Sequence, residues 1–258
     1  MQGGNVIIYG GGGAIGGASA QAFARAGATV HLVGRRQSKL RAVAEAIIRE
    51  GGDAHAAALD IFDAEAISHH AETVAARGGI AAAMVAIGVT HVQGRAIADL
   101  SLDEFEAPIT AYMRAHFIAA KAVAPHLSAN GVFIALSTQA ATLAFPGLLG
   151  FGTTCAAIEG FIRHLSRDLA PRGARAVCVR CDAIPEAVEA GSHSAEVFEA
   201  AARAQGASVS AILADAARAT PLQRLPTLAE AAACAVFAAS PAARNMTGAV
   251  INLTGGVS

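Results

Sequence analysis

Four consecutive glycines carry the clearest chemical signal in this chain. A short apolar run, Asn5 to Tyr9, enters Gly10-Gly11-Gly12-Gly13-Ala14-Ile15-Gly16-Gly17, and a helical stretch follows to about Ala26. Glycine permits a tight turn and lets backbone amides approach a pyrophosphate, whose charge then meets the N-terminus of the next helix. A glycine cluster alone would also suit an empty flexible turn. Between a first strand and a first helix, Gly10, Gly12, Gly13, Ile15 and Gly16 point to dinucleotide binding. The second strand ends Val33-Gly34-Arg35-Arg36. A carboxylate there would take the ribose 2′-hydroxyl of NAD. A small residue followed by Arg35 leaves room and positive charge for a 2′-phosphate, so NADP is expected ahead of NAD. The competing reading of the arginines is a solvated basic pair at a helix start. Asp60, in Leu59-Asp60-Ile61, is placed either to accept a hydrogen bond from an adenine amino group or to cap the next helix.

Proton-carrying residues are scarce. There are ten Phe, no Trp and two Tyr, Tyr9 and Tyr112. Neither tyrosine has a lysine four residues on: Tyr9 lies beside the glycine turn, and His116 follows Tyr112 at that distance. Tyr112 and His116 share a helical face, and core packing competes with a role in a pocket. His91, after the fourth strand, is an acid or base near neutral pH or else a hydrogen-bonded loop histidine. Cys155 would be a nucleophile only with a lowered pKa, and no base adjoins it in sequence. Asp182 and Glu186 either line a pocket or cap the following helix. His193 is expected on the surface. Cys178 and Cys181 have C-x-x-C spacing, but Val-Cys-Val-Arg-Cys alternates like a strand, which makes them core cysteines rather than a redox or zinc pair.

These residues need a scaffold, and the chain supplies alternating strand and helix patterns. Strands are expected at Asn5 to Tyr9, Thr29 to Val33, Ala54 to Leu59, Ala82 to Ile87, Val132 to Leu136, Arg175 to Val179 and Ala249 to Leu253. The fourth leads into Gly88. Helices are expected over residues 38–50, 64–77, 102–127 (with Pro125 near the end), 149–169 and 227–239, and an Ala-rich helical stretch covers 186–219. Short apolar strands separated by helices describe an α/β fold: a doubly wound, mostly parallel, seven-stranded Rossmann-like sheet with helices on both faces. No linker composition divides residues 1–258, so one domain is expected, with 186–219 as a substrate lid.

Composition narrows the class. With 258 residues, 54% apolar and 15% charged, the chain has too much apolar content for general disorder. A net charge of -1 without a Lys/Arg block leaves no footprint for nucleic acid. No apolar run is long enough to span a bilayer, and MQGGNVIIYG does not read as a signal peptide, so a cytoplasmic protein is expected.

Nearly the whole chain resembles the short-chain dehydrogenase/reductase family. Tyr9 to Gly16 is similar to its T-G-x-x-x-G-x-G turn, with Ala14 at the middle glycine, where an added methyl is expected to weaken or slightly shift cofactor binding. Val85-Ala86-Ile87-Gly88 matches its N-N-A-G, keeping only Gly88. FIRHLSRDLAPRGARAVCV and MTGAVINLTGG are similar to the segments after its active site and at its C-terminal strand. The resemblance implies an Asn-Ser-Tyr-Lys tetrad, and all four positions are substituted. Phe151 stands for the tyrosine, Cys155 for the lysine, Thr138 for the serine thirteen residues earlier, and Tyr112 for the asparagine. Cys181-Asp182 replaces the P-G after the sixth strand. Thr138 still donates a hydrogen bond, but Phe151 exchanges no proton and Cys155 supplies no fixed charge.

The resemblance therefore implies a small-molecule oxidoreductase binding NADP(H) at Gly10, Gly12, Gly13, Ile15, Gly16, Arg35, Asp60 and Gly88, with Thr138, Tyr112, His91, Cys155 and Asp182 around an altered catalytic centre. Two alternatives stand beside it: a non-redox cyclase, isomerase or lyase using His91, Tyr112 or Asp182, and a silent ligand-binding or scaffold protein. Members often assemble through their two long helices, which implies a homodimer or homotetramer.

Overall fold

Valine- and isoleucine-rich runs bounded by glycine favour buried strands, and the alanine-rich stretches between them favour helices that pack closely on a sheet. A computed structural model of the chain describes residues 3–257. Its strands are β1 (Asn5–Tyr9), β2 (Thr29–Gly34), β3 (Asp53–Ala58), β4 (Ile80–Val85), β5 (Leu127–Thr138), β6 (Arg175–Cys181) and β7 (Ala249–Leu253). They form one seven-stranded sheet in the order β3-β2-β1-β4-β5-β6-β7, and every pairing is parallel.

The helices are α1 (Ala14–Arg25), α2 (Gln37–Arg49), α3 (Ala64–Ala75), α4 (Leu102–Val123), α5 (Leu149–Leu169), α6 (Pro185–Glu189), α7 (His193–Gln205), α8 (Val209–Ala219) and α9 (Leu228–Ala239). Val6, Ile8, Leu32 and Met84 pack with Phe23 of α1, Leu40 of α2 and Ala235 of α9 on one face. Ile7, Tyr9, Phe133 and Cys178 pack with Ile67 of α3, Ala119 of α4 and Ile158 of α5 on the other. Both faces are covered, so β1 is buried along its whole length.

This order fixes where a ligand can bind. The chain runs outward from β1 to β3 and returns to β4 on the other side of β1. Tyr9 lies in register with Val33 and Val85, so the segments after β1, β2 and β4 leave the sheet together at one carboxyl edge. A crevice at such a reversal is the usual ligand position in open α/β sheets.

Several boundaries differ from the sequence reading. The long helix expected over 102–127 ends at Val123, because Pro125 falls in a 3₁₀ turn and Leu127 already pairs with Ile80. β5 is consequently longer than Val132 to Leu136, with an irregularity around Asn130 at φ 63. β4 is displaced toward its amino end relative to Ala82–Ile87, because Ala86, Ile87 and Gly88 turn out of the sheet into the crevice. Residues 186–219 are three helices broken at Gly191 and Gly206, both with positive φ, rather than one helical stretch. Thr227 caps α9 through a reciprocal box with Glu230 instead of beginning the helix. Cys178 and Cys181 lie buried on opposite faces of β6 as free thiols, each pushed up to about 12 by burial. No helix among the described residues is long and apolar enough to cross a membrane.

Candidate functional site

The turn after β1 is built by backbone bonds that only small residues allow. Gly10 donates its N–H to the Val33 carbonyl at 2.8 Å and adopts φ 87, while Gly13 closes the turn onto the Gly10 carbonyl at 2.9 Å. A Cβ on Gly10 would run into the Ala86 backbone, and one on Gly16 into the Gly10 carbonyl. Gly16 therefore lets α1 start hard against the turn. The N-cap of α1 is Gly13, which offers no side-chain cap, and the first turn of the helix carries no acidic residue. The amides at this helix end are open to an anion.

Around the turn lies a cleft of about 630 Å³. It is lined by Gly10, Gly12, Gly13, Ala14 and Ile15, by Arg35, Arg36 and Lys39 beyond β2, by Asp60 beyond β3, and by Ala86 to Thr90 beyond β4. Seven of the eight residues read as cofactor-binding thus share one wall system. Gly16, the eighth, sits behind it and sets its shape. No carboxylate follows Gly34. Lys39 was not singled out from the sequence, although its position one helical turn beyond Arg35 was a usable signal. Asp60 uses one carboxylate oxygen to accept the Phe62 amide at 3.0 Å, and it is Asp63 that caps α3. These features fit a dinucleotide: an open helix N-terminus and glycine cradle for a pyrophosphate, with three cations beside the β2 end for a further phosphate.

The other five named residues do not line this cleft. They gather past its Gly88 end, on the β4–α4 connection, α4, α5 and the ends of β5 and β6. Val89 N–H donates to the Tyr112 hydroxyl at 3.1 Å, and burial pushes that phenol up to about 12. The His91 ring stacks on Phe151, with centroids 4.1 Å apart and planes 7° from parallel. His91 Nδ1 donates to the Val89 carbonyl at 2.8 Å, leaving Nε2 to accept from Gln93 at 2.7 Å. Both ring nitrogens are therefore engaged, and burial lowers the pKa. Thr138 Oγ1 accepts the Ala140 amide at 3.2 Å and lies 3.4 Å from Cys155 Sγ, whose thiol is raised by burial. Asp182 accepts from Gln139 Nε2 at 2.8 Å and from the Ala183 amide at 2.6 Å; burial raises its pKa. Glu186 instead reaches the first amide of α9, at Leu228.

Two features were not legible beforehand. Arg180 makes a bidentate pair with Glu159 at 2.8 and 2.7 Å, both side chains nearly buried, and Ser137 donates to the same carboxylate at 2.7 Å. Arg180 set between valine and cysteine near the end of β6, and the Phe151-Cys155-Glu159 column at four-residue spacing on α5, were the available signals. The second is His193, expected on the surface. It is half-buried over Gly88, on the cleft wall, with its pKa lowered to about 4 by burial and then by His91.

The sheet order and the glycine-lined crevice define a Rossmann-like α/β protein. A family model described as enoyl-(acyl carrier protein) reductase matches residues 12–258. An uncharacterized oxidoreductase of Mycobacterium tuberculosis is 33% identical over 254 residues, spanning 97% of this chain and 90% of that protein. A short-chain dehydrogenase from Burkholderia cenocepacia, solved in complex with NADP, superposes with a TM-score of 0.82 at 25% identity, covering 99% of this chain and 98% of that one. An NAD+-bound xylitol dehydrogenase shares the fold at TM-score 0.84 and 20% identity, covering 99% of each chain. The chain belongs to the short-chain dehydrogenase/reductase family of oxidoreductases.

Proposed function

We propose that this protein is an NADP(H)-dependent oxidoreductase acting on a small molecule through a proton-handling centre altered from the family pattern. The observation that carries this reading is the cleft, in which a glycine cradle, an open helix N-terminus and the cations Arg35, Arg36 and Lys39 share one wall with no carboxylate after β2. NADPH held there supplies a hydride. Gly10, Gly12, Gly13 and Ile15 hold the pyrophosphate, Arg35 with its basic neighbours takes the 2′-phosphate, and Asp60 and Gly88 border the adenine and nicotinamide portions.

At the reacting end, Phe151 gives no proton and Cys155 gives no fixed charge. Thr138 positions a substrate oxygen by hydrogen bonding, burial keeps the Tyr112 phenol protonated at neutral pH, and burial raises the Asp182 carboxyl above its ordinary value. A substrate whose own conjugation spreads the developing charge suits such a centre better than a simple ketone, because the barrier then leans less on an enzyme acid. The enone class meets that requirement, in line with the reductase description of the matching family model. Residues 186–219 act as the substrate lid of a single cytoplasmic domain, and α4 and α5 join copies into a dimer or tetramer.

Titration with NADPH and NADH, read by fluorescence and calorimetry, tests the reading. NADPH is expected to bind more tightly than NADH, and Arg35→Ala to weaken NADPH alone by about 10- to 100-fold, the size of a lost charge-assisted hydrogen bond. Binding of neither nucleotide rejects the proposal. NADPH consumption on addition of a conjugated enone supports the substrate class, and turnover without any change in nucleotide absorbance favours non-redox chemistry instead.

A further inference from the structure

We propose that His193 is a latch: its imidazole, seated on Gly88, shuts the nicotinamide end of the cleft, and a dinucleotide must displace it to lie along the carboxyl edge of β4. The proposal rests on the NADP(H) reading of the cleft and adds to it a control on entry.

The geometry is specific to these residues. Gly88 closes the Ala86-Ile87-Gly88 segment, which packs against Gly10 of the glycine turn at its Ala86 end. The atoms nearest to where a Gly88 side chain would stand are Nδ1, Cγ and Cε1 of His193, so the ring fills the space that the missing side chain leaves. The same ring lines the cleft with Gly191, Ser192 and Ser194. His193 therefore bridges the first turn of α7 and the exit of β4.

Behind the ring, contact continues inward. Its centroid is 6.2 Å from that of His91, and His91 stacks on Phe151. A row of three rings thus runs from the first turn of α7 to α5. Among the described residues the His193 ring makes no hydrogen bond; it is held by packing alone, which suits a contact made to be broken. The segment that carries it is docked on few side chains. Gly191 at φ 65 and Gly206 at φ 61 bound it, Ala202 is buried on α7, and α8 buries none of its side chains. Such light docking lowers the cost of swinging the ring away.

If the open state is populated at about one part in ten, a nucleotide that binds only that state shows a dissociation constant about tenfold above its intrinsic value. Truncating the ring removes that penalty, whereas replacing it by another ring of similar size does not.

The experiment uses the full chain, His193→Ala and His193→Phe. NADPH affinity is read by fluorescence, and amide hydrogen exchange over residues 188–196 is followed without nucleotide. His193→Ala is expected to bind NADPH about tenfold more tightly and to exchange faster at the start of α7. His193→Phe is expected to match the parent in both. Unchanged exchange in His193→Ala overturns the latch whatever the nucleotide does. Equal or weaker NADPH binding by His193→Ala overturns the gating. Faster exchange combined with no NADPH binding by any of the three proteins overturns the cofactor reading, and the control of entry with it, while leaving the contact itself demonstrated.

Discussion

At the glycine turn the surface offered to a ligand is backbone, whereas past Gly88 it is side chain. The turn is shaped by Gly10 and Gly16, where any Cβ would strike a neighbouring carbonyl, and by the bare N-terminus of α1. The far end is shaped by a stack of His91 on Phe151, a Thr138–Cys155 contact and the buried Glu159–Arg180 pair. A backbone cradle admits almost no substitution without losing its shape. A side-chain centre can be repacked residue by residue while the fold stays intact. The difference teaches why the glycine turn and the side-chain end of the site need not tolerate change equally, and why the proposed cofactor cleft and the proposed altered centre can be probed separately.

The sharpest way to break this comparison is at the turn. Gly16→Ala is expected to cost more than about 100-fold in NADPH affinity, because the added methyl must push α1 off the Gly10 carbonyl where close approach is needed. Calorimetric titration checks this, and affinity close to the parent's would show that the cradle is not rigid. Next in size is Glu159→Ala, which strands the Arg180 guanidinium in a nearly buried position. It should lower unfolding stability by about 3–5 kcal/mol in guanidinium titrations, with NADPH affinity retained at the distant turn.

Acidification gives the third effect. His31 donates from Nε2 to Asn5 at 3.0 Å beside His55, and His116 donates from Nδ1 to the Tyr112 carbonyl at 2.7 Å. Burial holds both down to about 4 in the folded protein, against 6.5 as the ordinary value. Between those values the unfolded chain binds more protons than the folded one. The stability they contribute is therefore full above pH 6.5 and falls as pH drops through 6.5 toward 4, by on the order of a few kcal/mol in total. Denaturation midpoints followed from about pH 7 to about pH 4 measure it, and His116→Phe should flatten part of the slope. The smallest effect belongs to Phe151→Leu, which removes the stack on His91. Stability should drop by about 1 kcal/mol and NADPH affinity should not change. A large loss of nucleotide binding in that variant would mean that the two ends are not separable.

Legibility followed the same divide. The seven strands, their glycine boundaries and the turn after β1 could be read because each depends on residues adjacent in sequence. Boundaries slipped where a distant partner decided them: Leu127 joins β5 by pairing with Ile80, and Ala86 to Gly88 leave β4 to line the crevice. Asp60 and Asp63 are both reasonable caps in sequence, and only the loop geometry gave α3 to Asp63. The Glu159–Arg180 pair joins residues 21 apart on different elements, and although each residue stands out locally, only the packing of α5 on β6 matches them.

The sequence alone determined the class of fold and the glycine-rich turn between the first strand and the first helix, because those depend on residue identity and short-range spacing. Tertiary structure alone decided that His91 is held by two hydrogen bonds and a stack, that Glu159 and Arg180 meet as a nearly buried pair, and that the His193 ring packs on Gly88. Each of those contacts joins segments that are separate in the chain, and their positions were set by how the strands and helices pack.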